Sequence, residues 1–141
     1  MTILAWIALV ATALFAGAAA YVAFVEHPAR LDAGAETALA QWRPSYRRGK
    51  RMQASLAVVG AAAALLDGVF GAGDGLSILA GLLLAAAVPF TLLVIYPTNR
   101  KLEEPHRLAS DPETLTLLQT WGRLHWVRVA LGLAAFLLLT A

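Results

Sequence analysis

Residues 1–25, MTILAWIALVATALFAGAAAYVAFV, contain no charged side chain. About 20 apolar residues are enough for a helix to cross the hydrocarbon core of a bilayer. A second uncharged stretch covers residues 75–99, and two further apolar stretches at about 52–71 and 121–140 carry few charges. These lengths predict four membrane-spanning helices, with spans at about 2–25, 52–71, 76–96 and 121–140.

The composition agrees with a membrane location. Hydrophobic residues make up 60% of the chain and charged residues 14%, whereas soluble domains have about a half and a quarter. Because so few charges cannot coat a soluble domain, the predicted fold class is all-α: an integral membrane four-helix bundle that forms a single domain over 1–141. The chain has no cysteine, which excludes disulfides, thiol catalysis and thiolate-bound metals.

The positive charges are concentrated in two regions. Six of the 11 Lys and Arg residues lie within 26–51, and the other five lie within 100–128. Positive charges usually flank membrane helices on the cytoplasmic side. We therefore expect basic cytoplasmic loops at 26–51 and 97–120, with both termini and the glycine-rich turn at 71–75 outside.

The charge pattern also bears on partners and location. A formal net charge of +2, carried by residues that flank apolar runs, does not indicate nucleic-acid binding. The expected partners are the lipid bilayer and a hydrophobic small molecule, and a homo-oligomer stays open. No Lys or Arg precedes the first apolar stretch, so cleavage as a signal peptide is not expected. The abundance of Ala and Arg indicates a high-GC bacterial source, and hence the bacterial inner (cytoplasmic) membrane.

Prolines mark several expected helix boundaries. Pro28 and Pro44 are expected to break the first basic segment, and Pro97 to end the third helix. The sequence Ser110-Asp111-Pro112-Glu113 has the form of a capping box with a proline near a helix start. A long last helix over 112–140 is therefore predicted.

Polar and small residues recur on one face of the last helix. Trp121, His125, Arg128 and Gly132 follow one another at steps of four, three and four residues. Polar groups in membrane helices are costly, so each is a candidate functional residue. A small residue such as Gly132 permits a neighbouring helix to approach closely.

The second span carries a stripe of small residues. Ala57, Gly60 and Ala64 lie on one face between Gln53 and Asp67. Packing against another helix is the favoured explanation for this stripe. Asp67 lies near the outer end, where we expect its carboxylate to be solvated at the turn.

The inner ends of all four spans carry polar side chains. Glu26-His27-Pro28 ends the first span, and Tyr96-Pro97-Thr98-Asn99-Arg100 ends the third. Ordinary helix caps and loop contacts also explain such residues. If the inner ends converge, they surround one shared cavity with polar groups from Glu26, His27, Gln53, Tyr96, Asn99, His125 and Arg128.

Several motifs are distributed along nearly the whole chain. They are residues 17–21 with 26–30, 41–46, 89–91 with 96–99, and 121–128. In these motifs the sequence resembles the anthrone oxygenase-like family of small four-span membrane proteins, most of unknown function. Fungal members of that family are linked to the oxidation of anthrones to anthraquinones with dioxygen. The resemblance implies His125, His27, Asn99 and Arg128 as the catalytic candidates.

The expected function is that of a membrane-embedded oxygenase or oxidoreductase. Its substrate would be a hydrophobic aromatic, anthrone- or quinol-like molecule, oxidised with dioxygen in a cytoplasm-facing cavity. We expect a histidine to take the acidic proton of the substrate, while Arg128 and Asn99 hold the oxyanion. No cofactor is predicted for this chemistry. The expected substrate-binding residues are Trp42, Gln53, Tyr96 and Trp121.

Two alternatives stay open, and with them the question of whether the protein is an enzyme. The first is a haem- or copper-binding membrane protein in which His27 and His125 are the metal ligands. The second is a non-enzymatic membrane subunit or small-molecule-binding protein that uses its small-residue faces to contact a partner.

Overall fold

The computed structural model describes all 141 residues, which form four long helices. All four are long and apolar enough to cross a membrane, which confirms the predicted all-α class. The protein is therefore an integral membrane four-helix bundle. Its helices are α1 (Ile3–Asp32), α2 (Ala35–Phe70), α3 (Gly75–Glu103) and α4 (Pro112–Thr140).

The helices pack in a closed ring around an alanine-rich core. Each helix packs against the next in the chain, and α1 also packs against α4. We call the end with the α1–α2 and α3–α4 connections the basic end, and the end with the α2–α3 connection and both termini the turn end. Large apolar side chains such as Leu14, Leu93 and Leu137 are exposed around the outside, as contact with lipid requires.

Helices α1 and α3 each contain a π-helical segment near the basic end. The segments are Val22–Glu26 and Thr91–Ile95, and each is followed by one residue and then a proline. A proline lacks an N–H, and its ring crowds the carbonyl four residues earlier. The wider π turn relieves this crowding. The prediction that Pro97 ends the third helix is therefore wrong, since α3 continues to Glu103.

Much of the first basic segment, 26–51, is helical. Helix α2 has 36 residues, which at about 1.5 Å per residue exceeds the roughly 30 Å of a hydrocarbon core. Pro44 lies inside this helix and does not break it, contrary to expectation. The packing of Leu39 and Trp42 against Leu118 and Trp121 of α4 stabilises this extension.

The α3–α4 connection is held by one arginine of α2. Arg43 donates from Nε to the carbonyl of Leu102 at 3.1 Å. Its Nη2 donates to the carbonyls of Glu104 at 2.9 Å and Arg107 at 3.1 Å. These contacts satisfy carbonyls that the end of α3 leaves without helical partners, so α2 fixes where the connection lies.

The start of α4 follows the prediction only in part. The helix begins at Pro112, as expected from the sequence. The side chain of Asp111 does not cap the helix, and its carboxylate instead accepts a hydrogen bond of 2.8 Å from the amide of Leu108. The predicted capping box is therefore wrong, because this carboxylate closes the preceding turn.

At the turn end, Asp67 is buried rather than solvated. Only 4% of its surface is exposed, and it accepts a hydrogen bond from the hydroxyl of Thr2. The amides of Gly71 and Gly73 bond its main-chain carbonyl at 2.9 and 3.2 Å. The expectation of a solvated Asp67 is wrong because the start of α1 and the glycine turn both cover this carboxylate.

Both predicted stripes face the interior. Gln53, Ala57, Gly60, Ala64 and Asp67 are all buried on α2. On α4, Trp121, His125 and Gly132 are buried as well, and Gly132 lies against Phe15 of α1. The small residues therefore set the distance between neighbouring helices, as the sequence indicates.

Gly132→Ala tests this close approach. The added methyl would lie 2.8 Å from Cδ1 of Phe15 and 3.2 Å from Cα of Ala16. We expect the free energy of unfolding to fall by about 1–3 kcal/mol through overpacking, measured by thermal unfolding in detergent. Gly17→Ala is the control, because nothing lies within 4 Å of its added methyl. Equal stability of the two variants would contradict the packing described for α1 and α4.

Candidate functional site

The guanidinium of Arg128 lies where all four helices meet. Its Nη2 donates to Oε1 of Gln53 on α2 at 2.6 Å, and its Nη1 donates to the hydroxyl of Thr91 on α3 at 3.2 Å. Its central carbon lies 5.5 Å from the ring centre of Phe15 on α1. The Nε atom is buried without a partner, and no carboxylate forms a salt bridge with this arginine.

Two buried histidines are anchored to main-chain carbonyls of neighbouring helices. Nε2 of His125 lies 3.1 Å from the carbonyl of Ala19 on α1, and Nε2 of His27 lies 2.9 Å from the carbonyl of Leu118 on α4. A carbonyl only accepts hydrogen bonds, so each Nε2 is assigned the proton. In the neutral ring the lone pair is then on Nδ1, which is the atom able to take a proton.

An aromatic cluster holds the histidine rings. The ring of Trp121 stacks on His125 with 5.0 Å between centroids, and its centroid is also 5.0 Å from that of His27. Trp42 meets Trp121 edge-on at 5.8 Å and stacks on Tyr46 at 4.7 Å. The cluster therefore links the basic-end segments of α1, α2 and α4 and limits the movement of both histidines.

His27 reaches α4 because the residue opposite it is a glycine. A methyl group added at Gly122 would lie 2.5 Å from Cδ2 and 2.6 Å from Nε2 of His27. Only a residue without a side chain leaves room for the ring to reach the carbonyl of Leu118. Gly122 therefore shapes the site, although within the motif 121–128 nothing in the sequence distinguishes it as a site residue.

A small polar chamber lies beside His125. Its volume is about 50 Å³, and its lining includes Tyr46, Asn99, His125 and Arg128. Nδ2 of Asn99 donates to the hydroxyl oxygen of Tyr46 at 3.0 Å, while Oδ1 of Asn99 is buried without a partner. A cavity volume of about 10–15 Å³ in this measure is enough to hold one water molecule. The chamber is thus large enough for a water or dioxygen molecule but not for an aromatic substrate.

A larger apolar cleft lies next to this polar chamber. Its volume is about 300 Å³, and Ala57 of α2 and Ala87 and Val88 of α3 form part of its apolar wall. The cleft shares four lining residues with the polar chamber, so the two cavities are neighbours across them. These shared residues are Tyr46, Lys50, Gln53 and Arg128.

A third cavity, which we call the α1–α4 cleft, has a volume of about 340 Å³. His27 lines this cleft together with Gly122 and Trp126, and His125 lines both this cleft and the polar chamber. His27 lines neither the polar chamber nor the apolar cleft. The inner ends of the helices therefore surround several cavities rather than one shared cavity.

The remaining predicted residues take different positions around these cavities. Gln53 lines both the polar chamber and the apolar cleft, Tyr96 lines the apolar cleft, and Trp121 lines the polar chamber. Trp42 is fully buried and lines none of the three cavities. Its place is behind Tyr46, where it supports the wall of the site.

Tyr46 and Lys50 are among the lining residues that were not selected from the sequence. Tyr46 lies four residues after Trp42, so the two rings share one helix face, and this spacing was available as a signal. Lys50 lies one further turn along α2, and its Nζ is 5.0 Å from the ring centre of Tyr46. In the sequence Lys50 is one of several basic residues, and nothing there distinguishes it from Arg47, Arg48 and Arg51.

The histidine pair has few features of a metal centre. His, Asp and Glu side chains form no group of three or more that could hold a metal ion. The Nε2 atoms of His27 and His125 are each bonded to a carbonyl. Only Nδ1 of each ring is left to face a ligand. Metal-bound histidines commonly bond a carbonyl through their other ring nitrogen, so these two hydrogen bonds neither favour nor exclude the haem or copper alternative.

Comparison with known families shows which family the chain belongs to. Residues 42–138 match the family described as anthrone oxygenase. The chain belongs to the anthrone oxygenase family. The match confirms the resemblance seen in the sequence, and its range includes Asn99, His125 and Arg128 but not His27. Comparisons with curated proteins and with solved structures found no match.

Gly122→Ala tests how this member of the anthrone oxygenase family positions His27. The methyl group displaces the ring, so we expect the free energy of unfolding to fall by about 1–3 kcal/mol. In a His27→Ala background the same substitution should lower the free energy of unfolding much less, because the ring that the methyl group would meet is absent. Thermal unfolding of the two single variants and the double variant measures this coupling. Additive effects would contradict the contact between Gly122 and His27.

Proposed function

We propose that the protein oxidises a hydrophobic aromatic substrate with dioxygen, and that the substrate carries an acidic C–H group, as an anthrone does. The observation that carries this proposal is the junction of the apolar cleft with the polar chamber at Arg128. An apolar wall, a cation and a histidine able to accept a proton lie around this junction. Membership of the anthrone oxygenase family supports the reaction type.

The proposed reaction begins with proton transfer to Nδ1 of His125. The central methylene of an anthrone is acidic because its carbanion is delocalised onto the ring oxygen. Arg128 stabilises the oxyanion that forms, and such stabilisation is worth a few kcal/mol in a site that excludes water. His125 is positioned for this role by its bond to Ala19 and by its stacking on Trp121.

The later steps balance without a bound cofactor. The substrate anion gives one electron to dioxygen, the two resulting radicals combine, and protonation gives a hydroperoxide. Loss of water from the hydroperoxide leaves a second carbonyl, so that anthrone and dioxygen become anthraquinone and water. The polar chamber, with a volume of about 50 Å³, has the size to admit dioxygen beside the substrate.

The other side chains have supporting roles in this proposal. Gln53 holds the guanidinium of Arg128, and Asn99 orients the hydroxyl of Tyr46. Tyr96 contacts the substrate in the apolar cleft, while Trp121 supports the ring of His125. We assign His27 a positioning role on the far side of this cluster, since it lines only the α1–α4 cleft.

The orientation in the membrane is part of the same proposal. Because positive charges favour the cytoplasmic side, we place the basic end in the cytoplasm and both termini outside. We place the protein in the bacterial inner membrane. The apolar cleft lies between α2 and α3, where a membrane-soluble substrate can enter from the bilayer.

Dioxygen uptake with anthrone tests the proposed reaction. His125→Gln should lower the rate by about 100-fold or more, because general-base catalysis contributes about 10²–10⁴-fold. His27→Gln should have a smaller effect, since His27 lines neither the polar chamber, where His125 lies, nor the apolar cleft. His106→Gln is the matched control, because His106 is exposed in the α3–α4 connection. Unchanged turnover by folded His125→Gln protein would remove His125 from the mechanism.

A further inference from the structure

We propose that the apolar cleft takes its ligand as an anion, a flat hydroxylated aromatic whose ionised oxygen lies between Arg128 and Lys50. The aromatic nature of the ligand rests on the proposed function, whereas its charge is argued from the cleft itself. The proposal adds a binding role for Lys50 and states that the ligand loses a phenolic proton to the surrounding water on binding. This ionisation is separate from the removal of the C–H proton by His125.

The charged residues that line the cleft are all positive. Tyr46 and Lys50 of α2, Tyr96 of α3 and Arg128 of α4 face it, and α1 contributes the uncharged Phe15. The adjoining polar chamber adds His125, and no Asp or Glu lines either cavity. Two fixed positive charges without a negative one favour an anionic ligand.

Arg30 and Arg128, two arginines that lie between the helices, differ in how their charge is balanced. Arg30 is 5% exposed, and the carboxylate of Glu26 pairs with it. Arg128 has only the neutral acceptors Gln53 and Thr91, and its Nε has no partner. Burying a charge without an opposite charge is costly. A ligand oxyanion would supply the countercharge that the protein itself provides for Arg30.

Lys50 is oriented toward the same cleft. It lies one helical turn before Gln53, the residue that holds Arg128. Its ammonium lies over the ring of Tyr46, and no carboxylate forms a salt bridge with it. Lys50 is therefore placed to add a second positive charge to the side of the cleft that Gln53 and Arg128 form.

The walls of the cleft favour a flat ring system over an acyl chain. Aromatic side chains from three helices line it, namely Phe15, Tyr46 and Tyr96. Aromatic rings prefer stacked or edge-on partners, which a planar ligand provides. Its volume of about 300 Å³ lies at the lower end of the range of small-molecule sites.

Alizarin, a dihydroxyanthraquinone whose absorption spectrum changes on ionisation, is a direct probe of the bound charge state. The full chain in a neutral detergent is titrated with the dye, and the pH at which half of the bound dye is ionised is compared with that of the free dye in the same micelles. We expect this midpoint to fall by at least about one pH unit, which corresponds to tenfold tighter binding of the anionic dye than of the neutral dye.

The variants distinguish the effect of Arg128 and Lys50 on the midpoint from the effect of the general charge of the protein surface. Arg128→Gln and Lys50→Gln should each return the midpoint of bound dye toward the free value, whereas Arg128→Lys should largely retain the shift. Arg51→Gln is the matched control, since Arg51 is an exposed neighbour of Lys50 that does not line the cleft. Lys50 is exposed, so its variant tests the proposal even if Arg128→Gln fails to fold.

The outcomes also distinguish this proposal from the proposed reaction. Bound dye with an unshifted midpoint, a shift that survives in both Gln variants, or no binding of the dye would overturn the anionic site. Dioxygen uptake with anthrone judges the reaction independently. Competition with oleate tests for a fatty-acid ligand. If oleate displaces alizarin at lower concentration than unsubstituted anthraquinone does, and only when Arg128 and Lys50 are present, then the natural ligand is a fatty acid and the proposal as stated is overturned.

Discussion

The position of the Arg128 guanidinium depends on contacts from all the other helices. Gln53 and Thr91 accept its hydrogen bonds, and the ring of Phe15 covers it from α1. A guanidinium needs satisfied hydrogen bonds when it is removed from water. The helices can therefore neither slide nor rotate far without loss of these bonds. The same contacts define the boundary between the polar chamber and the apolar cleft, so the stability of the bundle and the shape of the site have a common origin.

The two halves of the chain are built alike around this point. In each half the first helix has a π-helical segment, one residue and then a proline, at Pro28 and Pro97. In each half the second helix presents an aromatic pair four residues apart, Trp42 with Tyr46 and Trp121 with His125.

The similarity of the two halves explains why the polar residues of the basic end do not line one shared cavity. The two tryptophans meet edge-on between the halves. Tyr46 and His125 therefore take corresponding positions, and both line the polar chamber. His27 corresponds to Tyr96, and the two residues line different clefts. A histidine and a tyrosine at corresponding positions make the two halves chemically unequal, which allows one cleft to differ from the other in function.

The sequence predicted the features that depend on composition and periodicity. Four apolar lengths gave the four helices, and steps of three and four residues gave the buried faces that include Gln53 and His125. It could not predict the passage of α3 through Pro97, because that depends on a local change in hydrogen-bond register. Nor could it predict the burial of Asp67, whose partner Thr2 is the N-cap of α1.

The composition of the site was partly predictable for the same reason. Helix periodicity places His125 and Arg128 on the inward face, but it does not give the rotation of one helix relative to another. That rotation decides that Asn99 shares a chamber with His125 while His27 does not. Tyr46 could have been predicted from its spacing of four residues from Trp42. Gly122, by contrast, matters only because His27 of α1 packs against it.

A structure of the protein with a bound brominated hydroxyanthraquinone would show which cavity holds the ligand, because anomalous scattering locates the bromine unambiguously. We predict a planar ligand between α2 and α3, with one oxygen within hydrogen-bonding distance of Arg128. A ligand in the α1–α4 cleft beside His27, or on the outer lipid-facing surface with Arg128 unoccupied, would contradict it.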